Sequence, residues 1–201
     1  PNTLTVRLVE DGGGGDASSV PANGAELDLS VTGGITRYSA DTVVLSTSVT
    51  NVNDRPTIAD AVLPATLEDA ADPPGQTVSE LFGDDFSDAT DDQTANNGDD
   101  AATGLGGIAV VGNASDATTQ GHWEYSTDSG STWSQVSDTV SDTAALLLPT
   151  DGLLRFVGNG EYNGTPGALS IRASDTAVAF DAAGDLTAAL ALGQTSQWSV
   201  V

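Results

Sequence analysis

Short runs of alternating residues, cut apart by turn signals, leave this chain one broad class of fold. In "TVVLSTSVTNV", residues 42–52, Val43, Leu45, Thr47 and Val49 fall on one side of an extended strand. Val44, Ser46, Ser48 and Thr50 fall on the other, which fits a half-buried antiparallel strand. Residues 3–9 alternate in the same way. "GIAVVGN", "ALLLP", "LLRFVG", "ALSIRAS" and "SQWSVV" read as further strands, and "AVLPATLED" as an irregular edge strand. "GHWEYSTDSGSTWSQV" reads as a hairpin, with Trp123 and Tyr125 on one face of its first strand. Only "VSELFGDDF" offers a helical turn, residues 87–104 read as a long polar loop, and no long segment has a 3.6-residue period. The expectation is an all-β chain of antiparallel sandwich domains.

Charge narrows the partners. The 201 residues hold 29 acids against five Arg, with no Lys, for a net charge of −24. Such a surface repels nucleic acid and anionic membrane. Of the acids 23 are Asp and six are Glu, and Asp suits turns and short-reach oxygen ligation. Solvated turn formers and cation ligands are the two readings of these acids. The chain has no Cys, so disulfides and thiolate metal sites are excluded. No stretch of these residues reads as a secretory leader or as an apolar run of membrane-spanning length. The chain reads as a window cut from a longer protein.

The sequence partly repeats itself. "PNTLTVRLVE", residues 1–10, matches "PGALSIRASD", residues 166–175, with Arg7 on Arg172 and Glu10 on Asp175. "GGITRYS", residues 33–39, loosely matches "LGQTSQW", residues 192–198. Residues 1–55 therefore read as the C-terminal part of one β-sandwich repeat, or half of an interrupted domain. Residues 56–201 read as a second repeat lacking its last strand. Between them lies "TNVNDRPT", residues 50–57, where Pro56 cannot donate to a ladder and holds Arg55 extended.

Four stretches together carry a family resemblance. Gly121–Trp133, Leu154–Gly164, Leu169–Asp175 and Val52–Pro56 resemble the "GTWQYSTDGGTTW", "LRFVP…NG", "LTFRAWD" and "VNDAP" signatures of cadherin-like tandem repeats in large bacterial RTX-type adhesins and biofilm proteins. Ser174 departs from the pattern, which has Trp there, and the second copy lacks a closing "VNDAP". The resemblance implies Ig/cadherin-like sandwiches with calcium-bound junctions, on an extracellular bacterial surface protein that supports adhesion and biofilm formation. Its implied partners are neighbouring repeats of the same chain and an inserted or adjacent ligand-binding domain; the chain itself is expected to be monomeric, without membrane insertion.

Ca²⁺ takes 6–8 oxygens, and no single short loop here supplies them. A junction can pool ligands: Asn53 and Asp54 from the connector, Glu10 and Asp11 from the first domain, and Glu68, Asp69, Asp85 and Asp88 from the second. Asp175 is expected to serve the next junction. Catalysis finds little support, because the single His122 lies in a hairpin and no nucleophile elbow is present. The alternative to a structural role is a carbohydrate-binding module, with Trp123, Trp133, Trp198, Tyr125 and Tyr162 as a stacking platform. Arg155 and Arg172 are expected to pair with acids. Asn113-Ala-Ser and Asn163-Gly-Thr match glycosylation acceptors.

Overall fold

The computed structural model describes residues 3–8, 38–94, 101–178 and 190–201. The chain divides into two compact units, Pro1–Thr50 and Asn51–Val201. In the first, β1 (Thr3–Val6) pairs antiparallel with β2 (Val43–Ser46), Leu4 opposite Leu45. Every residue of β2 is exposed. The half-buried strand expected there is thus open on both faces.

The second unit holds a four-stranded sheet in the order β4-β10-β7-β8 and a three-stranded sheet in the order β11-β6-β9. The strands are β4 (Gln76–Thr77), β6 (Gly107–Asn113), β7 (Gly121–Ser126), β8 (Ser134–Gln135), β9 (Leu146–Pro149), β10 (Leu153–Gly158) and β11 (Leu169–Ser174). A smaller pair joins β3 (Thr57–Ile58) to β5 (Phe86–Ser87). All these pairings are antiparallel. One core joins the two larger sheets: Ile108 and Val110 of β6 and Leu146 and Leu148 of β9 meet Tyr125 of β7 and Leu154 of β10. Among the described residues the arrangement is sandwich-like and all-β apart from one short helix. Each such aliphatic side chain contributes about 1.5–3 kcal/mol by leaving water.

The three-stranded sheet is covered on its other face too. There Ala109 and Ala145 pack with Val178 and Trp198. Burial on both faces explains why "GIAVV" and "ALLLP" are continuous apolar runs and not alternating ones. "AVLPATLED" forms no strand, and "SQWSVV" contributes a single bridge, Ser174 to Trp198.

Local chemistry sets the boundaries. Helix α1 (Val78–Phe82) begins with a reciprocal cap: Thr77 Oγ1 accepts from the Glu80 amide at 3.1 Å, and Glu80 Oε2 accepts from the Thr77 amide at 2.9 Å. That pair supplies partners for amides which a helix start leaves open. Val78 and Phe82, four residues apart, drive one face into the core.

The turn between β7 and β8 is built on Asp128. Its Oδ1 accepts from the Ser126 hydroxyl and the Thr132 amide, both at 2.8 Å, and its Oδ2 from the Thr132 hydroxyl at 2.7 Å. Ser129 (φ 57°) and Gly130 (φ 83°) take the left-handed backbone that closes the hairpin. The Thr132 hydroxyl and amide, then the Ser126 hydroxyl, lower the Asp128 pKa from 3.8 to about 2. A depressed carboxyl stabilises the fold above its ordinary value and loses that contribution as pH falls through the folded one. The Thr132 amide proton is therefore expected to titrate with a midpoint near 2 in an NMR pH series, and a midpoint near 3.8 would contradict this hydrogen-bond set.

The internal repeat is visible in hydrogen bonds. Arg7 Nη1 donates to the Ser39 carbonyl (2.9 Å), the Leu8 amide to Ser39 Oγ (3.1 Å), and the Ser39 amide to the Leu8 carbonyl (3.0 Å). In the second unit Arg172 Nη1 donates to the Ser199 carbonyl (2.8 Å), the Ala173 amide to Ser199 Oγ (2.9 Å), and the Ser199 amide to the Ala173 carbonyl (2.9 Å). Ser39 thus matches Ser199, and Tyr38 matches Trp198, one position away from the alignment read in the sequence. In the first unit the chain runs on from Ser39 into β2 along the edge of β1. The equivalent edge of β11, at Leu169 and Ile171, pairs with no strand among the described residues. An apolar groove flanks it, lined by Leu67, Phe82, Trp123, Phe156, Ile171 and Val201 among others.

Candidate metal centre

Three aspartates converge inside the second unit. Strand β5 ends at Ser87 and delivers Asp88. A turn closed by the Asp91 amide on the Asp88 carbonyl (3.1 Å) brings Asp91 back beside it. Asp175 follows the last residue of β11, and its amide donates to the Gln197 carbonyl at 3.2 Å. One carboxylate oxygen from each of Asp88, Asp91 and Asp175 lies within 4.8 Å of the others. The residues are only 4%, 6% and 8% exposed, so water does little to screen their repulsion.

The hydrogen bonds fix three different environments. Asp88 Oδ2 accepts from the Thr103 amide and hydroxyl, both at 2.9 Å. Asp88 Oδ1 is buried and accepts no hydrogen bond among the described residues. Asp91 Oδ1 accepts from the Asp54 amide at 2.9 Å. Asp175 takes Asn53 Nδ2 on Oδ2 at 3.1 Å and the Thr176 hydroxyl on Oδ1 at 2.9 Å. None of the ion pairs among the described residues reaches these three carboxylates.

Burial pushes the Asp91 carboxyl above its usual range. The Asp54 amide partly offsets this, and repulsion from Asp88, Asp54 and Asp175 adds to it. A buried acceptor without a donor costs about 1–3 kcal/mol, and each carboxylate pair adds about 1 kcal/mol or more of repulsion at this range. A cation reverses both terms. The donors are all oxygens, which suits a hard cation and not a soft one.

Of the residues expected from the sequence, Asp88 and Asp175 belong to this group, and Asn53 and Asp54 are hydrogen-bonded into it. Asp175 lies beside the Asn53 connector, although the sequence placed it at a different junction. Glu68, Asp69 and Asp85 are exposed and stand outside the group. Glu10 and Asp11 lie outside the described residues. Asp91 was not anticipated. Its one signal is the Asp88-Ala-Thr-Asp91 spacing in "SDATDD", which lets a single turn put two carboxylates together.

The aromatic residues have other partners. Trp123 packs edge-on against Phe156 (5.3 Å between centroids) and donates to the Gly167 carbonyl at 2.9 Å. Trp133 lies under the Arg155 guanidinium, 3.9 Å from it. Trp198 is buried in the second cluster. Strand alternation sets Trp123 and Arg155 on opposite faces of the four-stranded sheet, so the three indoles share no stacking surface. His122 bonds Glu124 at 3.1 Å.

No family model, curated protein or solved structure matches this chain. Among the described residues, no helix is long and apolar enough to cross a membrane.

Proposed function

We propose that the chain is a calcium-stabilised structural segment of a bacterial surface adhesin, extending or presenting a ligand-binding domain outside the cell. The observation that carries the calcium part is the buried Asp88–Asp91–Asp175 group, in which one Asp88 oxygen has no partner among the described residues. Asp88, Asp91 and Asp175 would hold the ion. Asp54 offers a further carboxylate, and the Asn53 amide offers an oxygen if it turns over. Bound there, the ion would tie the end of β11, the loop after β5 and the connector to one charge. The adhesive context rests on the sequence resemblance. A carbohydrate-binding reading draws no support from the three indoles.

Calorimetric titration of the full chain with calcium is expected to show saturable binding, in the range of about 0.1–1 mM typical of extracellular modules. Magnesium, which demands a tighter octahedral shell, is expected to bind more weakly. Asp88→Ser is expected to lose the calcium heat. Equal heats for parent and variant would remove this site from the reading.

A further inference from the structure

The loop after β10 contains two Asn-Gly pairs that differ in one respect. Asn159 is held: its Nδ2 donates to the Ala117 carbonyl at 3.0 Å and the Thr118 carbonyl at 2.9 Å. Its amide donates to the Gln120 carbonyl, and its own carbonyl accepts from the Tyr162 amide, both at 3.0 Å. Asn163, four residues on, is exposed, and its side chain makes no hydrogen bond among the described residues. The Gly164 amide likewise donates to no group there. Gly164 has no Cβ to shield its nitrogen, and its φ of 145° belongs to glycine.

We infer that Asn163-Gly164 is a site of spontaneous backbone modification in the native protein, and that the fold protects Asn159-Gly160 from the same reaction. The Gly164 nitrogen attacks the Asn163 side-chain carbonyl carbon. A bond forms between them, the Cγ–Nδ2 bond breaks, and Nδ2 leaves as ammonia with the proton from the Gly164 nitrogen. The product is a five-membered succinimide. Water opens it at either carbonyl, giving aspartate or isoaspartate. Each event adds one negative charge, and the isoaspartyl form lengthens the main chain by one carbon. Both changes fall on the rim of the apolar groove, which Tyr162, Asn163 and Gly164 line. The same amide is the acceptor of the Asn163-Gly-Thr triplet, so the reaction consumes that acceptor.

At Asn159 the reaction must first break the two side-chain bonds. At a net worth of about 1 kcal/mol each, these slow it by roughly tenfold or more, since 1.4 kcal/mol is a factor of ten. The test is to age the full chain in mildly alkaline buffer, natively and in urea, and follow both sites by peptide mass spectrometry. Native Asn163 is expected to convert at least about tenfold faster than native Asn159, and in urea the two are expected to convert at similar rates. Equal native rates would overturn the inference. A preference for Asn163 that persists unchanged in urea would overturn it as well, because the cause would then be local sequence and not the fold. Asn163→Gln, an exposed change, is expected to remove the fast-converting peptide and leave the slow one.

Discussion

Arg155→Ala is expected to destabilise the second unit by about 3–5 kcal/mol, the usual cost of leaving a buried charge without its partner. Arg155 is 7% exposed on β10. Its Nε donates to Glu124 Oε2 at 2.8 Å, and its Nη1 donates to Asp72 Oδ1 at 2.5 Å and the Pro73 carbonyl at 3.2 Å. The two acids are not equivalent. The Asp72 side chain is 86% exposed, while that of Glu124 is 16% exposed. Water replaces Arg155 at Asp72, so Asp72→Ala is expected to cost under about 1 kcal/mol. Among the described residues Glu124 would keep only His122. Trp133 would also lose the guanidinium over its ring, worth roughly 1–2 kcal/mol when shielded from water. Urea unfolding followed by tryptophan fluorescence reads the second unit alone, because Trp123, Trp133 and Trp198 all lie in it. The double change Arg155→Leu with Glu124→Leu is expected to recover most of the loss, since no buried charge is then left over. A loss below about 1 kcal/mol for Arg155→Ala would show Glu124 to be solvated once the arginine is gone.

This arginine was legible in the sequence because a lone cation inside an apolar strand needs an acid nearby. The strands were legible for a related reason: "GIAVVGN" and "LLRFVG" have the composition and length of buried strands and form β6 and β10 at the expected residues. What the sequence does not carry is the pairing of distant segments. β2 has the pattern of a half-buried strand, yet pattern alone does not supply the layer that would cover it. Ser174 stands where the resembling family has Trp; here it is fully buried, and its hydroxyl donates to the Thr176 carbonyl and accepts from the Thr176 amide. That local loop orients Asp175 without an indole.

The candidate metal centre divides along the same line. Asn53 and Asp54 are legible because they sit in a stiff connector, Asp175 because it matches Glu10 in the repeat, and Asp88 only as one of several acids of the second domain. Asp91 is one acid among many in a polar loop, and only the fold shows that it turns inward. Glu68, Asp69 and Asp85 are acids of the same kind that turn outward. In a chain with 23 Asp, the signal that separates candidate ligands from turn formers is burial, which depends on contacts between residues such as Asp88 and Asp175 that are far apart in sequence.

Calcium is expected to raise the melting temperature of the second unit by roughly 5–10 °C at about a hundred times its dissociation constant. Binding to the folded state alone contributes about 2.7 kcal/mol at that ratio. For a unit of this size each kcal/mol moves the midpoint by roughly 2–4 °C. The rise is expected to be absent in Asp88→Ser and reversed in the parent by chelator. Acid tests the same site through Asp91, whose pKa the fold raises. In chelator, a raised carboxyl pKa favours the folded state below the ordinary carboxylate value, and that contribution fades as pH rises through the folded value. In calcium the dependence inverts, because the ion and the proton compete for the same oxygens. The calcium increment is therefore expected to shrink as pH falls through the Asp91 range, while the chelated protein gains from Asp91 over the same interval. Converging melting curves on acidification would tie the ion to this carboxylate group. A calcium increment that stayed constant across that range, or survived in Asp88→Ser, would place the stabilising ion among the exposed acids, whose oxygens pay no burial cost for lacking one.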